Sequence, residues 1–143
     1  MSEVYEIGGG AMRKATMKMH HDVDPKKDLL DRIGDISEME LFHNLILVAM
    51  YVRPEKTASG IHLPNSVRKE DEYQGKVGLV LKVGPMAFVD DAVNSFGGIK
   101  VSPGEWVTFR TSDGFQITIN GVLCRMLQDS HIKTRIPDPD YVF

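Results

Sequence analysis

From residue 42 onward, apolar residues occur in short runs that turn-forming residues separate. Asn44–Val52 is almost entirely apolar and rich in β-branched residues, which predicts a buried strand. Gly75–Val83 predicts the next strand, ended by Gly84-Pro85. Asn120-Gly121 predicts a tight hairpin between two later runs. The remaining predicted strands are Glu105–Arg110, Phe115–Ile119, Val122–Leu127 and His131–Ile136. Turns at this spacing are typical of a compact all-β barrel or sandwich, with Trp106 and Phe109 in its core.

The first forty residues have a different texture, polar and rich in methionine. Gly8–Gly10 predicts a flexible joint. Asp24-Pro25 is a favourable helix start, and Leu29, Ile33 and Ile36 follow at helical spacing. We therefore expect a short amphipathic helix from Pro25 to about Glu40, although Gly34 in its middle weakens the pattern.

Two polar stretches predict long connections between the strands. Arg53–Asp71 is too long for a tight turn and predicts an exposed loop, and Met86–Gly98 predicts a second loop or hairpin. Shorter turns are expected at Ser102–Gly104 and Ser112–Gly114.

Composition narrows the class of protein. A chain of 143 residues with 42% hydrophobic content fits one domain with a short addition. Its net charge of −3, with basic residues scattered among acidic ones, argues against a nucleic-acid-binding protein. Since no run reaches the ~18 apolar residues of a membrane span and no signal peptide is visible, a cytoplasmic protein is expected. The single cysteine, Cys124, lies in an apolar run and is expected to be buried.

Candidate chemistry is sparse. None of the common nucleophile, phosphate-binding, dinucleotide-binding or zinc-protease motifs is present, so we expect a non-enzymatic protein without cofactor or metal. His20-His21 is a weak metal signal, because no further ligand follows at suitable spacing. Asp90-Asp91 and Asp138–Asp140 have carboxylates that could bind a cation, but solvated loop and tail residues are the favoured interpretation.

The segment Thr57–Pro64 presents two apolar residues, Ile61 and Leu63, within a polar loop. Apolar residues on an exposed loop commonly mark a docking peptide. The same two residues could instead fold back into the chain's own barrel, and the pattern alone favours neither alternative.

Several motifs resemble the GroES-type co-chaperonins in their order along the chain. The resemblance covers His43–Ile136, about two thirds of the sequence. Its motifs are the first strand, the mobile loop KTASGIHLP, the G-x-V…V-G strand, the K-V-x-x-G-E turn and the terminal Q-D-S-H-I segment, at His43–Met50, Lys56–Pro64, Gly75–Gly84, Lys100–Glu105 and Gln128–Ile132.

The resemblance implies a GroES-like β-barrel at 42–136, preceded by an extension at 1–41 and followed by a tail at 137–143. It also implies a ring of identical subunits, in which the terminal strand of one subunit pairs with the first strand of its neighbour. The mobile loop would bind a chaperonin ring, so the expected partner-binding residues are Gly60, Ile61, His62, Leu63 and Pro64.

The chain departs from the family pattern in four places. His62 replaces the usual aliphatic residue, the strand around Val77–Val83 is longer, the roof segment Met86–Gly98 is unusual, and both ends are extended. These additions resemble bacteriophage versions of the fold. The alternative function is therefore a virion decoration or cement protein that binds the major capsid protein through its loop and N-terminal arm, with Leu29, Ile33 and Ile36 as possible arm contacts. Zinc alcohol dehydrogenases, which also contain a GroES-like domain, are excluded because the chain lacks the dinucleotide-binding domain and the zinc cysteines.

Overall fold

The computed structural model describes residues 4–7, 10–13, 21–54, 62 and 64–142. Within these ranges, six strands form one antiparallel sheet and two more form a separate ribbon. The strands and α-helices, in chain order, are β1 (Val4–Ile7), β2 (Gly10–Arg13), α1 (Pro25–Ile33), β3 (Leu45–Met50), α2 (Asn65–Gln74), β4 (Val77–Val83), β5 (Trp106–Thr108), β6 (Phe115–Ile119), β7 (Val122–Gln128) and β8 (Thr134–Ile136). Two short 3-10 helices follow β7 and β8, at Asp129–His131 and Pro139–Tyr141.

The large sheet has the strand order β6-β7-β3-β4-β5-β8. β3 lies near its centre and pairs with β7 on one side and β4 on the other. The predicted hairpin at Asn120-Gly121 joins β6 to β7, with Ile119 opposite Val122. The sheet confirms the predicted all-β, GroES-like barrel, and it contains every strand predicted after residue 42 within a few residues of its expected limits.

Both faces of β3 are buried, which accounts for its uninterrupted apolar sequence. Leu47, Ala49 and Tyr51 point into one apolar cluster, the helix-side core, which also contains Trp106 and Cys124. The alternate residues of β3 point into a second cluster, the loop-side core, made of Ile46, Val48, Met50, Val80, Val101, Val107, Phe109 and Leu127. A strand with this pattern needs a cover on each side of the sheet.

The helix-side core is covered by the N-terminal part of the chain. Asp24 caps α1, since its carboxylate accepts a hydrogen bond from the Lys27 N–H, and Pro25 follows at the first helical position. The helix ends at Ile33 instead of continuing to Glu40, because Gly34 adopts a φ of 72° and its N–H closes the last turn on Leu30. The predicted helix was therefore about seven residues too long.

The apolar face of this helix packs inside its own subunit. Leu29 and Ile33 are 6% and 1% exposed, and Ile36 packs against the same core. Lys82 Nζ donates to the Met39 carbonyl oxygen at 2.5 Å, which ties the following segment to β4. Leu29 and Ile33 thus cover an apolar face of β3 within their own chain, whereas the expectation that Leu29, Ile33 and Ile36 contact a neighbouring subunit stays a prediction.

Two more sequence-based expectations need correction. Gly10 was expected in a flexible joint but begins β2 and pairs with Ile7 of β1, while Gly8 and Gly9 lie outside the described residues. The second half of the expected loop Arg53–Asp71 is helical, since α2 spans Asn65–Gln74. Its arginine, lysine and glutamate residues are good helix formers, and the Pro64 carbonyl accepts hydrogen bonds from the first turn.

The roof segment Met86–Gly98 contains turns and irregular backbone instead of a hairpin. It is fixed to the sheet by the buried carboxylate of Asp129, which accepts hydrogen bonds from the Phe88 N–H at 3.0 Å and the Asn44 amide at 3.1 Å. Phe88 and Phe96 pack edge to face within the segment, with ring centroids 5.3 Å apart. The roof is thus an ordered loop anchored at one buried acid.

The pairing of β3 limits how subunits could join. Residues Ile46–Ala49 are paired on both sides within their own chain, so a neighbour's terminal strand has no free edge there, contrary to the pairing that the resemblance implied. β8 pairs with β5 and forms an outer edge of the sheet. In the described part of the chain, no helix is long and apolar enough to cross a membrane.

Candidate docking site

The expected docking segment begins and ends at one end of the barrel. The chain leaves the sheet after β3 through Tyr51–Pro54 and enters α2 after Pro64. Of the five predicted partner-binding residues, His62 and Pro64 are described and both are exposed. Gly60, Ile61 and Leu63 lie outside the described residues.

The two ends of this segment are held together. Arg68, at the end of the first turn of α2, donates a hydrogen bond from Nε to the Arg53 carbonyl oxygen at 3.1 Å. Pro64 has an extended backbone and accepts hydrogen bonds from the N–H groups of Val67 and Arg68. The exit and the return of the segment are therefore fixed relative to each other.

A cluster of three polar side chains lies where the exit begins. The Tyr51 hydroxyl donates a hydrogen bond to Asp140 Oδ1, and His21 Nε2 lies 2.8 Å from the other oxygen of the same carboxylate. The same nitrogen is 3.2 Å from the Tyr51 hydroxyl oxygen. We call His21, Tyr51 and Asp140 the clasp, because they join three segments that are distant in sequence.

The clasp rests on the helix-side core. Tyr51 is 2% exposed, and its ring packs edge to face against Trp106 with centroids 5.6 Å apart. The backbone N–H of Tyr51 donates to the Val77 carbonyl oxygen at 3.0 Å. Because the tyrosine is fixed by ring and backbone, its buried hydroxyl needs the polar partners that Asp140 and His21 provide.

Beside the clasp is an open cleft of about 500 Å³. It lies between the start of α1, the end of β3, Arg68 and the β6–β7 hairpin. Its walls carry charges of both signs, Asp28 and Arg32 on α1 and Arg68 on α2, together with apolar residues. This mixture lacks the single sign of charge that a phosphate or metal site requires.

The aspartates that could have bound a cation serve the backbone instead. Asp91 accepts hydrogen bonds from the N–H groups of Val93 and Asn94, and the bonds from Asn94 and then Val93 lower the pKa of its carboxyl. Asp90 accepts from the Phe96 N–H, and Asp138 from the Asp140 N–H. Among the residues the structure describes, no three histidine, cysteine or acidic side chains come together as a metal site would need.

Sequence reasoning missed the clasp. His21 was weighed only as a metal ligand and Asp140 as a solvated tail residue, and 119 positions separate them. The available signal was Tyr51, since a tyrosine that ends a buried apolar strand needs a partner for its hydroxyl. Tyr51 therefore predicts that its hydroxyl has a hydrogen-bond partner but does not identify the partner residue.

A family model described as the chaperonin 10 Kd subunit matches residues 38–136. The chain belongs to this family. The match spans β3 to β8 and includes the docking segment, Tyr51 and the roof, whereas His21 and Asp140 lie outside it. A comparison with curated proteins finds no match.

The co-chaperonins of this family have chaperonin rings as their partners. Such proteins act by binding and not by catalysis. The predicted resemblance to GroES-type co-chaperonins is thereby confirmed.

Proposed function

We propose that this protein caps a chaperonin ring through the segment Gly60–Pro64, and that it has no catalytic activity of its own. The observation that supports this most is the family match over 38–136, which includes the segment. Its described ends add support, because Pro54 and Pro64 lie at one end of the barrel and the Arg68–Arg53 hydrogen bond holds them together.

Ile61 and Leu63 carry the binding in this proposal, by entering an apolar groove on the chaperonin. His62 lies between them and is exposed, so a neutral imidazole can face the groove while a protonated one is disfavoured there. Ordering the segment costs conformational entropy, which makes each contact weak. A ring of identical subunits supplies several contacts at once, and their combined affinity suits a lid that must also be released.

The alternative is a virion protein that binds the major capsid protein, in keeping with the proposed phage origin. This alternative requires the N-terminal arm to bind a neighbouring subunit, but Leu29 and Ile33 are buried in this chain's own core. Leu29 and Ile33 could therefore bind a neighbour only by leaving that core, which favours the lid as the proposed function.

The decisive experiment is binding of an Ile61→Asp, Leu63→Asp double variant to a purified GroEL-type chaperonin ring in the presence of ATP. We expect loss of co-sedimentation, because two charges cannot enter an apolar groove without a large desolvation cost. The matched control is Val93→Asp, Ile99→Asp, which adds the same charges to two exposed apolar residues, one in the roof and one directly after it, 88% and 62% exposed. Equal binding by the segment variant and the wild type would refute the proposal.

A second experiment, on phage particles, distinguishes the alternative virion function from the lid. Mass spectrometry of washed phage particles, if the gene is phage-borne, would find the protein at a high and constant copy number only if it is a virion component. Such a result, together with unchanged chaperonin binding by the double variant, would favour the capsid role.

A further inference from the structure

The clasp joins the two parts of this chain that lie outside the family match. His21 precedes the matched region 38–136, Asp140 follows it, and Tyr51 lies within it. One carboxylate, that of Asp140, accepts from the tyrosine hydroxyl on one oxygen and lies 2.8 Å from the histidine nitrogen on the other. The two additions therefore meet at a single residue of the family's barrel.

That residue is the last one held by the sheet before the docking segment begins. The Tyr51 N–H still bonds to the Val77 carbonyl, while Val52–Pro54 have left the strand. The tyrosine side chain is anchored on the far side by Trp106. Any displacement of the Tyr51 Cα from the sheet must then move a hydroxyl that Asp140 and His21 hold in place.

The carboxylate of Asp140 makes the clasp stiffer than a contact between neutral groups would be. A hydrogen bond to a carboxylate is shorter and stronger than one between neutral groups. The side chains of His21 and Asp140 are only 21% and 13% exposed, so water competes weakly for these bonds.

We infer that the clasp is a positioning device for the docking segment: His21 and Asp140, from the chain's two additions, hold Tyr51 and so fix the point on the barrel from which the segment leaves toward the chaperonin. The inference rests on the proposed function, in which Gly60–Pro64 makes the contact. A fixed exit reduces the number of orientations that each segment loses on binding, and so reduces the entropic cost of docking. Arg68 performs the corresponding task at the return of the segment.

The test is the variant Tyr51→Phe, which removes the hydroxyl and keeps the ring on Trp106. Its matched control is Tyr141→Phe, the same change at a residue that is 51% exposed and adjacent to Asp140. Binding to the GroEL-type ring is measured at a temperature where both variants are fully folded by circular dichroism. We expect about fivefold weaker binding for Tyr51→Phe, because a less fixed exit loses more conformational freedom on docking, and no change for Tyr141→Phe.

A second variant separates positioning from simple stability. Asp140→Asn keeps the size of the side chain but removes the charge, and we expect it to weaken binding to a similar degree. If either clasp variant lowered the unfolding free energy while the folded protein bound with unchanged affinity, the clasp would be only structural and the inference would be overturned.

Hydrogen exchange in the free protein tests the same idea without the chaperonin. Tyr51→Phe should speed amide exchange at residue 51, whose N–H bonds to the Val77 carbonyl, and at Val67 and Arg68, and Tyr141→Phe should not. Unchanged exchange there contradicts the inference even if the chaperonin proposal fails. Conversely, loss of binding in the Ile61→Asp, Leu63→Asp variant beside normal binding of Tyr51→Phe refutes only the inference.

Discussion

Replacement of Leu29 by alanine tests whether the N-terminal helix is an integral layer of the barrel. Leu29 is 6% exposed in the helix-side core, whereas Leu30, the next residue of the same helix, is 42% exposed. The substitutions Leu29→Ala and Leu30→Ala change the same atoms and the same helix propensity. They differ only in what surrounds the side chain.

The expected effect follows from burial. Leucine to alanine removes three carbon atoms, which at ~0.8 kcal/mol for each buried methylene gives about 2 kcal/mol for Leu29. The cavity left in the core raises the loss of unfolding free energy to about 3 kcal/mol. For the half-exposed Leu30 we expect about 1 kcal/mol or less, since much of its surface is already in water.

Urea unfolding measures the difference, followed by fluorescence of Trp106, the only tryptophan, which is 4% exposed in the same core. With a slope of about 2 kcal/mol per molar urea, Leu29→Ala should lower the midpoint by ~1.5 M and Leu30→Ala by about 0.5 M or less. If both variants unfolded at the wild-type midpoint, the helix would be a free arm and the packing described here would be wrong.

Two further predictions concern the thiol and the turns. Burial raises the pKa of the Cys124 thiol to about 11 from 9.0. The native protein should therefore not react with a thiol reagent at pH 8, whereas the protein unfolded in urea should react with one equivalent of the reagent. A raised pKa also means that stability is present below pH 9 and falls as pH rises toward 11; a native protein that reacts at the unfolded rate contradicts both statements. Gly121 and Gly114 both have positive φ, but a Cβ at Gly121 meets nothing within 4 Å while one at Gly114 would lie 2.2 Å from the Met126 carbonyl oxygen. Gly121→Ala should therefore cost about 1 kcal/mol and Gly114→Ala several times more in the same urea assay, and equal costs would show that the close approach at Gly114 is relieved without penalty.

The sheet could be predicted because its signals are local. Asn120-Gly121 requires positive φ at two successive residues, and the structure has 51° and 78° there. The apolar run of β3 likewise identified a buried strand. The same run also implies that both faces of β3 must be covered, which sequence reasoning did not use. Leu29 and Ile33 cover one of those faces.

Two errors came from local signals that were weighed wrongly, and the third concerns a tertiary contact. The helical spacing of Ile36 continued beyond Gly34, but backbone conformation ended the helix at Ile33. The helix α2 was missed because a Pro-flanked polar stretch was interpreted as one loop. Nothing local connects His21 to Asp140, because their meeting depends on both chain ends reaching Tyr51 at one end of the barrel.

The double burial of β3 makes the strand and its cover depend on each other. Deleting α1 from this chain would leave the apolar face that contains Leu47 and Ala49 in contact with water, which promotes association. Polar residues at those two positions would instead be buried under the helix, which is also unfavourable. A truncated form that remains monomeric would therefore need changes in both elements.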